Sequence, residues 1–287
     1  MTTYLVTGAT GNLGGHTVDA LLKTVPDKDV SVMTRDPEKA AALAARGVTV
    51  VKGDYFDYDS LVKAFTGIDR LLLIGAVSLS NRAPQHETMI KAVKAAKPGY
   101  VIYVGFYWTE GSKIKLREVT DVEIKSEKDL AAAGVPYTIV RNPLYTHAYK
   151  FLLGGDLKAD GVRGFGSEKQ ATYADIADLG EANAKLLIKG GHKGETLLLN
   201  SGEKLTLKDM AAVWGKVYGA PIAYTYGTRQ AFVDMLVAKG QPLEQAEYAA
   251  AFINAVVEGE FSATSASLEA LLGRKPTSLK ETYAANP

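Results

Sequence analysis

The sequence predicts an α/β protein, a doubly wound parallel sheet with a smaller, mostly helical C-terminal cap. Three observations predict it. Short leucine-rich or β-branched runs alternate with helical patterns through the first half of the chain. A glycine-rich turn joins the first of these runs to the first helix. After Pro143 the rhythm changes, first to a glycine-rich stretch and then to one helical pattern after another. Apolar strands alternating with helices mean βαβ units and a parallel sheet covered on both faces. Right-handed crossovers make the doubly wound arrangement the default.

Taken in order, the strand candidates are residues 4–7, 30–34, 48–52, 71–74, 101–104 and 137–141. Between the first two, Val18, Leu21, Leu22 and Val25 fall on one helix face at i, i+3, i+4 and i+7. Asp36-Pro37 reads as an N-cap followed by proline at the first helical position, opening a helix that ends near Gly47. Asp57 is placed to cap a helix over 58–65. Further helices are expected at about 83–96, stopping before Lys97-Pro98-Gly99, and at about 121–133, stopping at Gly134. Residues 150–171 hold five glycines and few apolar positions, so a loop-rich excursion is expected. A helix follows at 175–188 and a buried strand at 195–199. Thr206-Leu207-Lys208-Asp209 resembles a capping box with a shortened carboxylate, opening a helix to Tyr218. Residues 228–272 read as largely helical, punctuated at Gly240-Gln241-Pro242 and Gly259. The expected division is a dinucleotide-binding unit of 1–142 plus about 172–202, and a substrate-binding cap of about 143–171 and 203–287.

The strongest motif is Thr7-Gly8-Ala9-Thr10-Gly11-Asn12-Leu13-Gly14-Gly15. It follows a strand and opens an amphipathic helix, the context a dinucleotide loop of the Rossmann type requires. Gly8 allows the tight turn, Gly11 lets the backbone approach a pyrophosphate, and Gly14 lets helix and strand pack closely. Free N–H groups and the helix dipole at Asn12 and Leu13 then face the anion. Thr10 lies inside the same loop.

Where an NAD site would place an acidic residue to hold the ribose hydroxyls, the sequence reads Met33-Thr34-Arg35-Asp36. Arg35 can pair with a 2′-phosphate through its planar fork and stack on adenine. Pro37 assigns Asp36 to capping. NADPH is therefore the expected cofactor, with NADH weaker. Gly53 and Asp54 follow the third strand, where Asp54 could accept from the adenine amino group. Ile74, Gly75 and Ala76 follow the fourth, where small residues let ribose and nicotinamide lie against the backbone. Asn142 and Pro143 could line the nicotinamide.

Composition excludes other chemistry. The 287 residues include no cysteine, so disulfides, thiolate metal sites and cysteine nucleophiles are ruled out. His16, His86, His147 and His192 form no i, i+4 pair of the kind a helical metal site uses. With 33 basic and 32 acidic residues, nothing in the charge balance suggests a nucleic-acid or membrane surface. No apolar run approaches the ~20 residues of a membrane span. No basic leader precedes an apolar stretch at the start, so a cytoplasmic location is expected.

These motifs resemble the NmrA-like group of atypical short-chain dehydrogenases. The resemblance rests on the glycine loop, on Arg35 before Asp36-Pro37-Glu38-Lys39-Ala40, and on Gly53-Asp54-Tyr55. It also rests on residues 136–145, Pro-Tyr-Thr-Ile-Val-Arg-Asn-Pro-Leu-Tyr, and on 271–279, Leu-Leu-Gly-Arg-Lys-Pro-Thr-Ser-Leu. It covers nearly the whole chain and is nearest to triphenylmethane reductases and type 2 quinone oxidoreductases. It implies reduction of quinones or cationic dyes. It also implies an alternative, since members of the group include regulators that bind the cofactor without turnover and relay its redox state.

Active short-chain dehydrogenases commonly use a tyrosine four residues before a lysine. Lys125 falls where that lysine would, and the position four before it is Asp121. Hydride transfer to a simple ketone makes an alkoxide that must be protonated in step. Transfer to a quinone makes a phenolate, whose conjugate acid has a pKa near ~10 by analogy with tyrosine. Transfer to a cationic triarylmethane carbon needs no proton. The missing tyrosine argues against an epimerase or a simple carbonyl reductase and permits quinone or dye reduction. Lys125 has two readings, one that it orients the ribose and one that it is a solvated lysine in a run that also holds Glu123, Glu127 and Lys128. Tyr107 and His147 are candidate polar groups near the acceptor. Phe106, Trp108, Tyr145 and Tyr149 are candidate walls for a flat, aromatic or quinonoid substrate, since ligands bind at strand C-termini in such sheets. Arg141 is read as structural, paired with a carboxylate. The sequence leaves open whether the chain forms a homodimer.

Overall fold

The computed structural model describes residues 1–76, 81–114, 116 and 119–285. The chain runs β1 (Tyr4–Thr7), α1 (Asn12–Leu21), β2 (Val30–Thr34), α2 (Ala41–Ala45), β3 (Thr49–Lys52), α3 (Tyr58–Phe65), β4 (Arg70–Ile74) and α4 (Arg82–Ala96). It continues through β5 (Val101–Phe106), α5 (Thr120–Ala131), β6 (Tyr137–Asn142), α6 (Thr146–Leu152), α7 (Leu157–Asp160), β7 (Val162–Gly164), α8 (Ile176–Lys189) and β8 (Thr196–Leu198). The last third holds α9 (Leu207–Tyr218), β9 (Tyr224–Tyr226), α10 (Arg229–Ala238), α11 (Leu243–Val257), α12 (Ser267–Leu272) and α13 (Leu279–Ala285).

Among the described residues, seven strands form one parallel sheet in the order β3-β2-β1-β4-β5-β6-β8. The order reverses between β1 and β4, and a crevice opens there at the strands' C-terminal ends. Strand side chains alternate between two buried faces, as the apolar runs require. Val6, Val32, Leu72, Ile102 and Val140 pack with α1, α8 and α12 on one face. Leu5, Met33, Leu71, Leu73, Val101 and Tyr103 pack with α3, α4 and α5 on the other. A third cluster, centred on Trp214, Phe232, Ile253 and Phe261, joins α6, α9, α10, α11 and α13. Leu268 and Leu272 of α12 sit with the sheet rather than with that third cluster. No helix among the described residues is long and apolar enough to cross a membrane.

Several local expectations change. The helix expected from Asp36 to Gly47 is a 3-10 turn, Pro37–Ala40, followed by the short α2. Asp36 caps it as expected, accepting from Glu38 N at 3.2 Å. The region 150–171 is less irregular than its glycines imply. It holds the end of α6, then α7, then β7, which pairs in parallel with β9 as a second, two-stranded sheet. Each of these strands has three residues, too few for an alternating pattern to register. The capping box at Thr206 and Asp209 forms with both reciprocal hydrogen bonds.

Candidate active site

The glycine loop builds an open helix terminus. Gly8 turns the chain out of β1 with φ +63°, and Gly11 N donates to Gly8 O at 2.9 Å. A Cβ on Gly14 would stand 2.2 Å from Gly8 O, so only glycine lets α1 rise this close to the strand. Gly11 is the N-cap of α1 and gives it no side-chain cap, and the first turn carries no acidic residue. The first N–H groups of α1 and its dipole are thus left for an external anion. Thr10, Gly11 and Asn12 are exposed on this rim, while Leu13 is buried beneath it.

Around the loop, Tyr55 locks β1 to β4. Its hydroxyl donates to Ile74 O at 2.7 Å and lies 2.8 Å from Thr7 Oγ1, and Thr7 Oγ1 in turn accepts from Ile74 N at 2.9 Å. Burial pushes the Tyr55 phenol well above its ordinary range. Arg35 follows β2, exposed, with no ion pair or side-chain hydrogen bond among the described residues. Gly53 N donates to Thr34 O at 3.1 Å. The Asp54 carboxylate accepts from Phe56 N, and Asp57 caps α3.

A cavity of about 250 Å³ lies where β4, β5 and β6 end. Ile74, Gly75, Val104, Phe106, Pro143, Leu144 and Tyr145 line it from the sheet side, and Phe151, Leu152, Tyr248 and Phe252 from α6 and α11. Tyr248 and Phe252 pack ring to ring at 4.7 Å, and Phe106 meets Phe252 edge-on at 5.5 Å. The phosphate loop reaches this cavity through Ile74, whose Cβ lies 3.8 Å from the point where a Gly8 side chain would begin. Asn142 is buried at the end of β6. Its Nδ2 lies 3.4 Å from Tyr145 Oη, and its Oδ1 has no partner among the described residues. Burial raises the Tyr145 phenol, against the opposing effect of the Asn142 contact.

The structure brings together Ile74, Gly75, Phe106, Pro143 and Tyr145. It places the other candidates elsewhere. Tyr107 is 6% exposed, its ring against Phe261 and its hydroxyl accepting from Thr109 Oγ1. Trp108 donates to Glu127 at 3.0 Å and lies under the Arg141 guanidinium, 4.0 Å from its ring centre. Arg141 pairs with the same Glu127 through two donors, as a structural arginine would. Tyr149 is fully buried, its hydroxyl unpartnered. Lys125 projects from α5 with 62% of its side chain exposed and pairs with Asp129. That geometry is the solvated-lysine alternative, since the side chain is spent on its own helix and faces away from the cavity lining. His147 is exposed and lines a separate cavity of about 470 Å³ with Asn12, His16, Lys150 and Asp175. Burial holds its imidazole below the ordinary range, against the pull of Asp175.

Sequence reasoning missed a buried polar cluster behind the cavity. Arg82, His86, Tyr103, Glu123 and Ser126 are each under 9% exposed. Arg82 Nη2 donates to Glu123 Oε1, and Tyr103 Oη donates to Glu123 Oε2 at 2.7 Å. His86 Nδ1 lies 2.9 Å from Ser126 Oγ and 3.1 Å from Tyr103 Oη, and His86 Nε2 lies 3.2 Å from Ala76 O. Burial drives the Tyr103 phenol up and the His86 imidazole down. Glycines make room for it: a Cβ on Gly105 would stand 2.3 Å from Glu123 Oε2, and one on Gly75 3.1 Å from His86 Cε1. A signal was present. Arg82, Gln85, His86, Met89, Ile90 and Val93 share one face of α4, so polar residues occupy the inward positions of its first turns.

The residues present fit a dinucleotide. An uncapped helix terminus after β1, a backbone cradle a side chain would fill and an exposed arginine after β2 stand at the C-terminal ends of neighbouring strands, and a cavity opens where β4 to β6 end. Comparison with known proteins agrees. The model of the NmrA-like family matches residues 2–285. Quinone oxidoreductase 2 of Escherichia coli is 33% identical over 276 residues, covering 96% of both chains. The crystal structure of an NADPH-dependent quinone oxidoreductase of E. coli complexed with NADPH superposes with a TM-score of 0.90 at 31% identity, covering 99% of each chain. That of the Citrobacter sp. triphenylmethane reductase complexed with NADP(H) gives 0.89 at 31% identity, covering 99% of this chain and 100% of that one.

Proposed function

The chain belongs to the NmrA-like family, and from that premise we propose that it is an NADPH-dependent reductase passing hydride directly to a quinone or a related conjugated acceptor. One observation carries the reading. The anion-receptive end of α1 and an apolar, aromatic-sided cavity meet at Ile74 in a single crevice. A dinucleotide running from the first to the second would end beside a slot suited to a flat acceptor. The E. coli and Citrobacter relatives bound to NADPH or NADP(H) support the same cofactor.

When bound, reduced nicotinamide supplies the hydride. The residues do the rest. Asn12 and Leu13 hold phosphate with backbone N–H groups. Arg35 binds the 2′-phosphate through its fork. Asn142 and Pro143, at the end of β6, would flank the nicotinamide, with Pro143 on the cavity wall. Phe106, Tyr145, Tyr248 and Phe252 exclude water and stack the acceptor. Proximity is the main catalytic device. No tyrosine acid is required of the site, because a hydroquinone anion can wait for solvent.

The test is to mix the protein with NADPH and a panel of quinones and cationic dyes, and follow loss of nicotinamide absorbance. Turnover well above the uncatalysed rate is expected. Tight NADPH binding with no turnover across the panel would instead establish a cofactor-binding regulator.

A further inference from the structure

Among the described residues Arg82 is the charged residue of the cavity wall, and it is only 7% exposed. Glu123, its partner, is fully buried and does not line the cavity. The positive member of the pair therefore meets the cavity, and the negative one is closed off behind it. The second oxygen of Glu123 accepts from Tyr103 rather than from Arg82. A guanidinium carries five N–H donors, and here Nη2 is spent on Glu123 while Nε is buried without a partner among the described residues. An unsatisfied buried donor is costly, and the guanidinium is held at the cavity wall despite it. A buried ion pair is also a poor source of stability compared with apolar packing. Its place on the wall of an otherwise apolar slot calls for another explanation.

We propose that Arg82 is the oxyanion-binding residue of this cavity, and that it selects acceptors in which hydride transfer creates negative charge on oxygen. The inference rests on the reductase reading and narrows its substrate class to quinones and conjugated enones, ahead of cationic triarylmethane dyes. The acceptor gains a hydride from reduced nicotinamide, whose C4–H bond breaks as the nicotinamide is oxidised. The electron pair displaced through the conjugated system settles on the acceptor oxygen as an enolate or phenolate. Arg82 holds that charge in a site with little water, where a fixed cation is worth most. Water then protonates the oxygen and the product leaves. A cationic dye loses its charge in the same step, so Arg82 gives that transition state no help.

The test uses Arg82→Met/Glu123→Gln, which removes both charges and leaves neither stranded, and Arg82→Lys, which keeps the charge and loses the fork. The probes are 2,4-dinitrophenolate, as an unreactive anionic mimic of the product, and 1,3-dinitrobenzene, its uncharged counterpart, titrated into protein saturated with NADP+. Wild type is expected to prefer the phenolate by about tenfold or more. In the folded double variant that preference disappears, and kcat/KM for 1,4-benzoquinone falls about tenfold or more while NADPH affinity and reduction of malachite green hold. Arg82→Lys falls between the two. Equal binding of the two probes by wild type, which needs no variant to fold, overturns the proposal. So does a double variant that keeps both its phenolate affinity and its quinone kcat/KM. A wild type that binds the phenolate through Arg82 yet reduces no acceptor keeps the anion site and overturns only the reductase reading.

Discussion

Arg35 and Asp36 show how neighbouring residues divide their tasks. Asp36 caps a 3-10 turn, one of its oxygens accepting from Glu38 N. Arg35 is exposed beside it, uncommitted among the described residues. Charge-assisted hydrogen bonds to phosphate are worth about 1.5–3 kcal/mol. Arg35→Ala is thus expected to weaken NADPH by about 10- to 100-fold and to leave NADH within about twofold, read by calorimetric titration of both nucleotides. An unchanged ratio of the two affinities would remove Arg35 from the site. The Asp36 cap was legible in the sequence because it is local, announced by the proline after it, and the proposal for Arg35 rests likewise on its position after the second strand. Tyr107, Trp108 and Tyr149 show the opposite case. Being aromatic near a strand end does not say which way a side chain turns, and all three turn into protein packing.

At the scale of the element, α1 is the instructive helix. Thr206, Asp57, Asp175 and Thr228 cap α9, α3, α8 and α10 with side-chain oxygens, whereas Gly11 gives α1 none. Glycine in place of a capping side chain costs only a few tenths of a kcal/mol, and it leaves the N–H groups free of a side-chain cap. Gly11→Asp would restore the cap and set a carboxylate where phosphate belongs. Its Cβ would stand 3.3 Å from Gly8 O, a tight but adjustable contact. The expected result is a ligand-free melting temperature held or slightly raised, with the stabilisation by added NADPH abolished, both read in thermal melts. A variant still stabilised by NADPH as wild type is would show that the α1 terminus is not the phosphate site. Glycine spacing after a strand made this terminus readable. The buried face of α4 was harder, because Arg82 and His86 break an apolar periodicity that would otherwise mark it.

The whole molecule sets the state of His86. It is enclosed by the sheet, α4 and α5, so it can take up a proton freely only when the protein opens. Burial holds its imidazole below the ordinary range despite the nearby Glu123. In the unfolded chain the same ring titrates near its usual value, about 6.5. Below that pH the unfolded state binds more protons than the folded one, and stability falls as pH falls. The melting temperature is expected to drop between about pH 7.5 and about pH 5.5, above the range in which carboxylates titrate. His86→Gln should flatten the slope, leaving the contribution of His147, which is shifted in the same direction. Equal slopes in variant and wild type would exclude His86 as its source.

By itself the sequence determined what depends on near neighbours along the chain. The parallel sheet follows from alternating periodicities and several helix starts from their caps, while the glycine spacing and one arginine after β2 carry the proposed phosphate loop and cofactor preference. Only the tertiary structure decided which residues meet across the crevice. It assembled Arg82, Tyr103 and Glu123 from α4, β5 and α5, and it turned Lys125 outward to Asp129 while Glu123, two residues away, turned in. Glu123 and Lys125 lie in one charged run that looks uniformly solvated on paper. Helix rotation against the sheet sets which of them is buried, and that rotation is the outcome of packing over the whole molecule rather than of any local pattern.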